Sequence, residues 1–373
     1  MFYVGIDQHS KQLTVDVGNE EGDLVLHRQV TTEPASLRRF LGELQQRSEA
    51  EGGYVSVVEV CGFNDYLIKL LREYGCREVV LVQPEGRSKR KTDRRDARQL
   101  RETLWLGRQQ LREGKRLKGL RRVRIASARQ AADRQLTALR KRLAQRRTQT
   151  VNKVHGLLKK HNLQHELPTK GLQTKTAFRW LGCVELPPVD RQEMNCLLAQ
   201  WSLWEQQLAA VETRIAERQV QDEDALLLQT IPGFSQYSSL AVSSRLGPIA
   251  DFPRPASLAN YWGLTPGCRN SGETERLGSI TKQGSSVVRF MLGQVLLHVL
   301  RKDAWMRGWY RRIKRRRGAK IARVAVMRRL ATIIWSMLRY RTPYITGGPE
   351  QIRKLRELTR SLQQNQASRR STG

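Results

Sequence analysis

Cysteine is scarce and poorly placed for cross-linking. The five residues (Cys61, Cys76, Cys183, Cys196 and Cys268) are odd in number, and no two stand in a C-x-x-C spacing. That excludes a disulfide framework and a zinc ribbon, and leaves reduced, mostly buried thiols. Long apolar runs are missing too: none approaches the roughly 18–20 residues of a membrane span. The N-terminal "MFYVGIDQHS" lacks the basic stretch and apolar core of a secretory signal. The expectation is a soluble, cytoplasmic protein with no membrane partner. Acidic residues are also short, with 35 Asp+Glu against 67 Lys+Arg in 373 residues, a net charge of +32. Such a field attracts polyanions, and nucleic acid is the commonest of them. Eight tryptophans and several strand-like apolar runs argue against a histone-like or ribosomal binder.

The chain is long enough for two or three compact units. In the first, "MFYVGID", "QLTVDVG" and "LVLHRQV" read as a three-strand meander with a turn at "GNEEGD". "PASLRRFLGELQQRSE" reads as an amphipathic helix, with Pro34 in its first turn. "YVSVVEV" and "EVVLV" are apolar enough for strands buried on both faces, and the helix "NDYLIKLLREYG" between them is closed by Gly75. The order βββαβαβ followed by a helix predicts a mixed sheet flanked by helices over residues 1–110.

Residues 112–147 hold fourteen basic residues against Glu113 and Asp133 alone, with Leu136, Leu139 and Leu143 marking one stripe. A long basic helix running towards His161 is expected. After Pro187 and Pro188, the residues Met194, Leu197, Trp201, Trp204, Leu208, Val211 and Ile215 alternate by three and four. That heptad seam predicts an antiparallel coiled coil in a middle region, 111–224. The tryptophans there read as core packing. "DALLLQTIPGFSQYSSLAVSSRLG" reads as a helical hairpin opening a mainly α third region, 225–345. "RGWYRRIKRRRGAK" (307–320) packs eight Lys and Arg around Trp309 and Tyr310, which suits a phosphate-tracking surface. The tail 346–373 is expected to be flexible.

"KTDRRDARQL" places Asp93 and Asp96 three residues apart among arginines. On one helix face they could simply neutralise their neighbours, or hold a metal while the basic residues hold a nucleic-acid backbone. Asp7 and Glu59 end two apolar strands, and a buried acid there is costly unless paired or metal-bound. If the two strands are neighbours, all four carboxylates converge at one sheet edge. Such oxygen donors suit Mg²⁺, and two ions would clamp the attacking and leaving oxygens of a phosphodiester. His161 and His165 have helical spacing for zinc but no third ligand, and read as surface residues. Ser271, Ser279 and Ser285 are equal nucleophile candidates on chemistry alone.

"GIDQH" at 5–9, Glu59 after its strand and "KTDRRDA" at 91–97 closely resemble the RuvC-like, ribonuclease-H-like domain of the DEDD transposases of insertion sequences. These form the insertion-sequence one-ten family, with its eleven-eleven subgroup. "IPGF" and "YWGLTP…NSGETERLGSITKQGSSVVRFML" look like that family's C-terminal transposase domain. The resemblance implies that Asp7, Glu59, Asp93 and Asp96 bind Mg²⁺, two ions being expected and Mn²⁺ able to substitute. It selects Ser271 as the catalytic serine, with Arg276, Lys282 and Arg289 near enough in sequence to supply donors. It also implies DNA recombination on donor and target DNA near the prokaryotic nucleoid, a homo-oligomer (dimer or tetramer), and guidance by a structured bridge RNA. The remaining nucleic-acid contacts are expected at Arg94, Arg95, Arg121, Arg122, Arg312, Lys314, Arg315 and Arg316. A hydrolytic junction nuclease would need the four acids alone, and a non-enzymatic scaffold would explain the charge but not the acids.

Overall fold

The computed structural model describes residues 1–84, 93–113, 115, 120–271 and 274–348. The chain divides into two compact units, Met1–Ile125 and Ala126–Gly373.

The first unit is built on a six-stranded sheet. Its strands are β1 (Phe2–Gln8), β2 (Gln12–Gly18), β3 (Leu24–Thr31), β4 (Tyr54–Glu59), β5 (Cys76–Pro84) and β6 (Leu120–Arg122). The spatial order is β3-β2-β1-β4-β5-β6. The meander β1–β2–β3 is antiparallel, β4 runs parallel to both β1 and β5, and β6 is antiparallel to β5. Helices α1 (Pro34–Glu49), α2 (Asp65–Glu73), α3 (Asp93–Leu106) and the short α4 (Arg108–Arg112) complete the unit.

Side chains alternate across the central strands with the period of two that a pleated strand imposes. Val4, Ile6, Tyr54 and Val58 face Leu37, Phe40, Leu41, Leu67 and Leu71 of α1 and α2. Tyr3, Val55, Val57, Val80 and Val82 face Leu100 and Leu104 of α3. Each fully buried leucine contributes roughly 1.5–3 kcal/mol to holding its helix down. The sheet is therefore covered on both faces, as the apolar runs of β4 and β5 require.

The expected basic helix starts later than its composition suggests. Residues 120–122 instead pair with Val82–Pro84 of β5. The helix α5 (Ala128–Lys160) begins after Ser127, whose side chain caps it by accepting the Gln130 N–H. Pairing with an open sheet edge outweighed helix propensity here.

The second unit contains α5, α6 (Lys175–Cys183), α7 (Pro188–Val220), α8 (Glu223–Gln229), α9 (Gln236–Ser243), α10 (Pro255–Tyr261), the hairpin β7 (Pro266–Ser271) and β8 (Thr274–Ile280), α11 (Ser286–Lys302) and α12 (Ala304–Tyr340). The two long helices α5 and α7 pair antiparallel. Asp133 meets Arg218, Arg140 meets Glu212, Arg147 meets Glu205 and Thr150 meets Trp204. Met194, Leu197, Trp201, Leu208 and Ile215 are buried, while Trp204 and Val211 are half-buried. The heptad seam is thus used within the chain. Between α5 and α6 the chain makes a 3₁₀ turn, Leu163–His165. A separate core around fully buried Trp262 joins α8–α12. Helix α12 kinks at Gly318, whose φ of 82° is open to glycine. The tail expected to be flexible lies, from residue 349 on, outside the described residues.

Candidate active site

Asp7 follows Ile6 on β1, and Glu59 follows Val58 on β4. Ile6 and Val58 are register partners on these parallel strands. The two acids therefore stand level on neighbouring strands, whose backbones lie roughly 4.8 Å apart. Alternation puts Asp7 on the face of Tyr3 and Gly5, and Glu59 on the face of Val55 and Val57. That is the face α3 covers.

Helix α3 runs antiparallel to β1. Leu104 packs with Tyr3 at the start of the strand. At Gly5 the helix backbone comes so close that a Cβ would stand 2.2 Å from the Ala97 carbonyl oxygen. Only glycine permits that approach. Asp96 immediately precedes Ala97 and Asp93 lies one turn further towards the helix N-terminus, which leads to the end of β1 and β4 where Asp7 and Glu59 stand. The fold thus brings the four sequence-selected positions to one edge of the sheet. Asp7 is buried and its Oδ2 lies 3.1 Å from His9 Nε2. Asp96 is half-buried. The side chains of Asp93 and Arg94 lie outside the described residues, and Arg95 is exposed.

Oxygen donors of this kind suit a hard cation such as Mg²⁺. Among the described residues, no three His, Cys, Asp or Glu side chains form a group that could hold a metal ion. Asp7, Glu59 and Asp96 fit the ion in donor chemistry, but they are not gathered into a group that could hold it.

What seats α3 was not singled out in the sequence. Arg101 donates through Nε to Asp16 Oδ2 on β2 at 2.8 Å, and through Nη1 to the Gly22 carbonyl at 2.9 Å. His27 Nδ1 meets the other Asp16 oxygen at 3.0 Å. Trp105 Nε1–H donates to the Glu20 carbonyl at 2.9 Å, and Arg112 pairs with the Glu20 carboxylate at 2.9 Å. Burial raises the Tyr3 phenol above its ordinary range, and its hydrogen bond to Glu20 raises it further. An open cleft of about 420 Å³ runs beside this anchor, lined by Asp16, Asp23, Arg98, Glu102 and Trp105. It borders the C-terminal part of α3, away from the acid edge.

The loop after Glu59 is pinned to the end of β1. Asn64 Nδ2 donates to Gln8 Oε1 at 2.8 Å and to the Glu59 carbonyl at 3.0 Å. The Cys61 N–H donates to Asn64 Oδ1 at 2.7 Å, and Gln8 Nε2 donates to the Phe63 carbonyl at 3.1 Å. Gln8 and Asn64 are both buried, so the loop is held where the acids emerge.

In the second unit, Ser271 ends β7 opposite Thr274, and Arg276 pairs in register with Arg269. The side chains of Ser271 and Arg276 lie outside the described residues. Lys282 is exposed. Arg289 turns inward and donates to the carbonyls of Trp262, Gln283 and Gly284 at 3.1–3.2 Å, which locks the segment leading into α11. Ser285 caps α11 by accepting the Val288 N–H, while Ser279 is exposed. Arg312, Lys314, Arg315 and Arg316 are exposed on α12 just before its kink. On β6, Arg121 is half-buried, and Arg122 is exposed and pairs with Glu78. His161 binds Asp190 at 2.6 Å and His165 meets Gln164, so the two histidines serve different partners.

Residues 4–163 match a family model of DEDD transposases of the IS110 type, described as "Transposase". Residues 225–311 match the model "Transposase IS116/IS110/IS902 family". The first range contains the four acids and the second contains Ser271. Among curated relatives, the "Transposase for insertion sequence element IS1111A" of Coxiella burnetii is 27% identical over 78% of this chain and 79% of its own. The "Probable family 20 transposase" of Pseudomonas aeruginosa is 28% identical over 92% of this chain and 98% of its own.

Proposed function

We propose that the chain is a transposase of the IS110/IS116/IS902 family of insertion sequences, and that it cuts and rejoins DNA with Asp7, Glu59, Asp93 and Asp96 as a Mg²⁺ site and Ser271 as nucleophile. The observation that carries this reading is the level placement of Asp7 and Glu59 beneath the first turn of α3. On this reading the sheet is RuvC-like, with a three-strand meander followed by parallel β4 and β5. The α5–α7 pair is the antiparallel coiled coil. When bound, Mg²⁺ supplies charge stabilisation to phosphoryl oxygens, which favours phosphodiester chemistry.

The protein's own residues divide the remaining work. Asp7 and Glu59 offer fixed carboxylates from a rigid sheet edge. Asp93 and Asp96 bring two more from α3, whose position is set by Gly5 and by the Arg101–Asp16 pair. Ser271 Oγ forms a bond to phosphorus as the bond from phosphorus to the leaving strand breaks. The serine proton passes to solvent, and the leaving sugar oxygen takes one up. The phosphoserine ester that results is resolved when a sugar hydroxyl of another strand attacks the same phosphorus.

Two basic stretches, 112–147 and 307–320, suit a folded guide RNA together with DNA. The working form is a homo-oligomer on donor and target DNA. Among the described residues no helix is long and apolar enough to cross a membrane. The test is to trap the covalent protein–DNA adduct with DNA carrying the ends of the element. An adduct on Ser271 that needs Mg²⁺ and all four acids supports the reading. Cutting without any adduct would favour a hydrolytic nuclease instead.

A further inference from the structure

Next to the acid pair stands a small apolar surface that folding does not use. Val60 is 42% exposed, Phe63 44% and Tyr66 38%. Among the described residues, Phe63 and Tyr66 are the exposed aromatic side chains of the first unit. Their backbone is nevertheless anchored by hydrogen bonds. Val60 is the residue after Glu59, and its N–H donates to the Val82 carbonyl at 2.9 Å. The Phe63 carbonyl accepts from Gln8, the residue after Asp7. Asn64, between Phe63 and Tyr66, is buried and bonded to both Gln8 and the Glu59 carbonyl. One turn therefore ties the backbone that carries the two rings to the strand ends that carry the acids.

Two rings held rigidly in water, beside acids and in a chain of net charge +32, have a natural ligand. Aromatic faces stack on bases of any sequence, while basic side chains hold the phosphates. A protein partner fits less well, since a stable interface buries about 800 Å² on each side and three side chains offer far less. We propose that Val60, Phe63 and Tyr66 form a nucleobase platform, on which an unpaired base of the DNA strand being cut stacks beside the acid pair. This rests on the reading of Asp7 and Glu59 as part of the cutting site. The platform would keep the strand unpaired at the reacting phosphate, and its tolerance of all bases leaves sequence choice to other contacts.

The test uses the full-length chain, metal-free so that no strand is cut. Single-stranded DNA carrying 5-iododeoxyuridine at successive positions is irradiated, and the cross-linked peptides are mapped. A cross-link to Phe63 or Tyr66 is expected. The Phe63→Ala/Tyr66→Ala chain should bind this strand roughly tenfold or more weakly, within the range stacking provides. It should bind an abasic strand of equal length unchanged, and Phe63→Trp should retain wild-type affinity. Because both side chains are exposed, the variants should melt with the wild type.

Absence of cross-links within 60–66, together with wild-type binding and cutting by the double variant, overturns the platform and leaves the acid site standing. Cross-links formed with iodouridine RNA but not with DNA overturn DNA as the occupant. If Asp7→Asn and Glu59→Gln chains cut DNA normally, the acid-site reading fails and the platform's role in cutting falls with it.

Discussion

Arg101 of α3 and Asp16 of β2 meet at 2.8 Å with both side chains buried, although 85 residues separate them in the chain. The pair fixes the helix that carries Asp93 and Asp96 against the strand beside Asp7. Arg101→Met would leave Asp16 buried with only His27, and breaking a buried pair costs about 3–5 kcal/mol. Arg101→Lys keeps the charge but loses the planar fork that reaches both Asp16 and Gly22. Denaturant unfolding of the full chain should rank wild type above Arg101→Lys, with Arg101→Met lowest. If all three unfold alike, the pair does not anchor α3.

Neutral replacement of any one acid, as Asp7→Asn, Glu59→Gln, Asp93→Asn or Asp96→Asn, should cut strand cleavage by about a thousandfold or more. That corresponds to the several kcal/mol expected when charge stabilisation at the phosphate is lost. Retention of DNA in a gel-shift assay should change little. Efficient recombination by Asp96→Asn would remove that residue from the site.

Chelation of divalent cations should abolish cutting while leaving DNA binding in place, and Mg²⁺ or Mn²⁺ should restore it. Ser271→Ala should bind DNA and metal yet form no adduct on that chain. An adduct mapped to Ser279 would move the nucleophile within the same hairpin.

The exposed α12 residues can be read through salt. Replacing Arg312, Lys314, Arg315 and Arg316 together by alanine should weaken nucleic-acid binding across all sequences. It should also flatten the slope of log K against log salt by up to about 3–4 units, following counterion release. An unchanged slope would place the phosphate contacts elsewhere. Arg289→Ala should act differently, lowering thermal stability, because its donors already hold three backbone carbonyls.

At the joint between α5 and α7, Lys160 and then His161 hold the Asp190 carboxyl below its usual range through hydrogen bonds. A carboxylate whose folded pKa is depressed stabilises the fold above its unfolded pKa, and that contribution is lost as pH falls through the folded pKa. Asp190→Asn should therefore melt earlier than wild type near neutral pH. The two melting curves should converge on acidification below the ordinary aspartate range. A gap that persists at acid pH would mean that Asp190 acts by packing.

Much of this molecule is fixed by local pattern. The strands β1–β5 and helices α1 and α2 follow from side-chain periodicity, because alternation by two or by about 3.6 determines which faces can be buried. The acids were legible for a related reason, since a carboxylate ending an apolar strand is conspicuous wherever the strand goes. Composition was a poorer guide where long-range pairing competed. Residues 120–122 have helix-forming neighbours, but the open edge of β5 made them a strand and delayed α5 to Ala128.

No spacing in the sequence could reveal that Arg101 would find Asp16, or that Arg289 would spend its donors on a loop. Nor could it show that Ser285 would become a cap, or that the Gln8–Asn64 bond would hold Phe63 and Tyr66 beside the acids. Sequence alone determined which groups could do chemistry, through the types and local periods of its residues. Tertiary structure decided which of them stand together, because strand register and buried polar pairing depend on residues far apart in the chain.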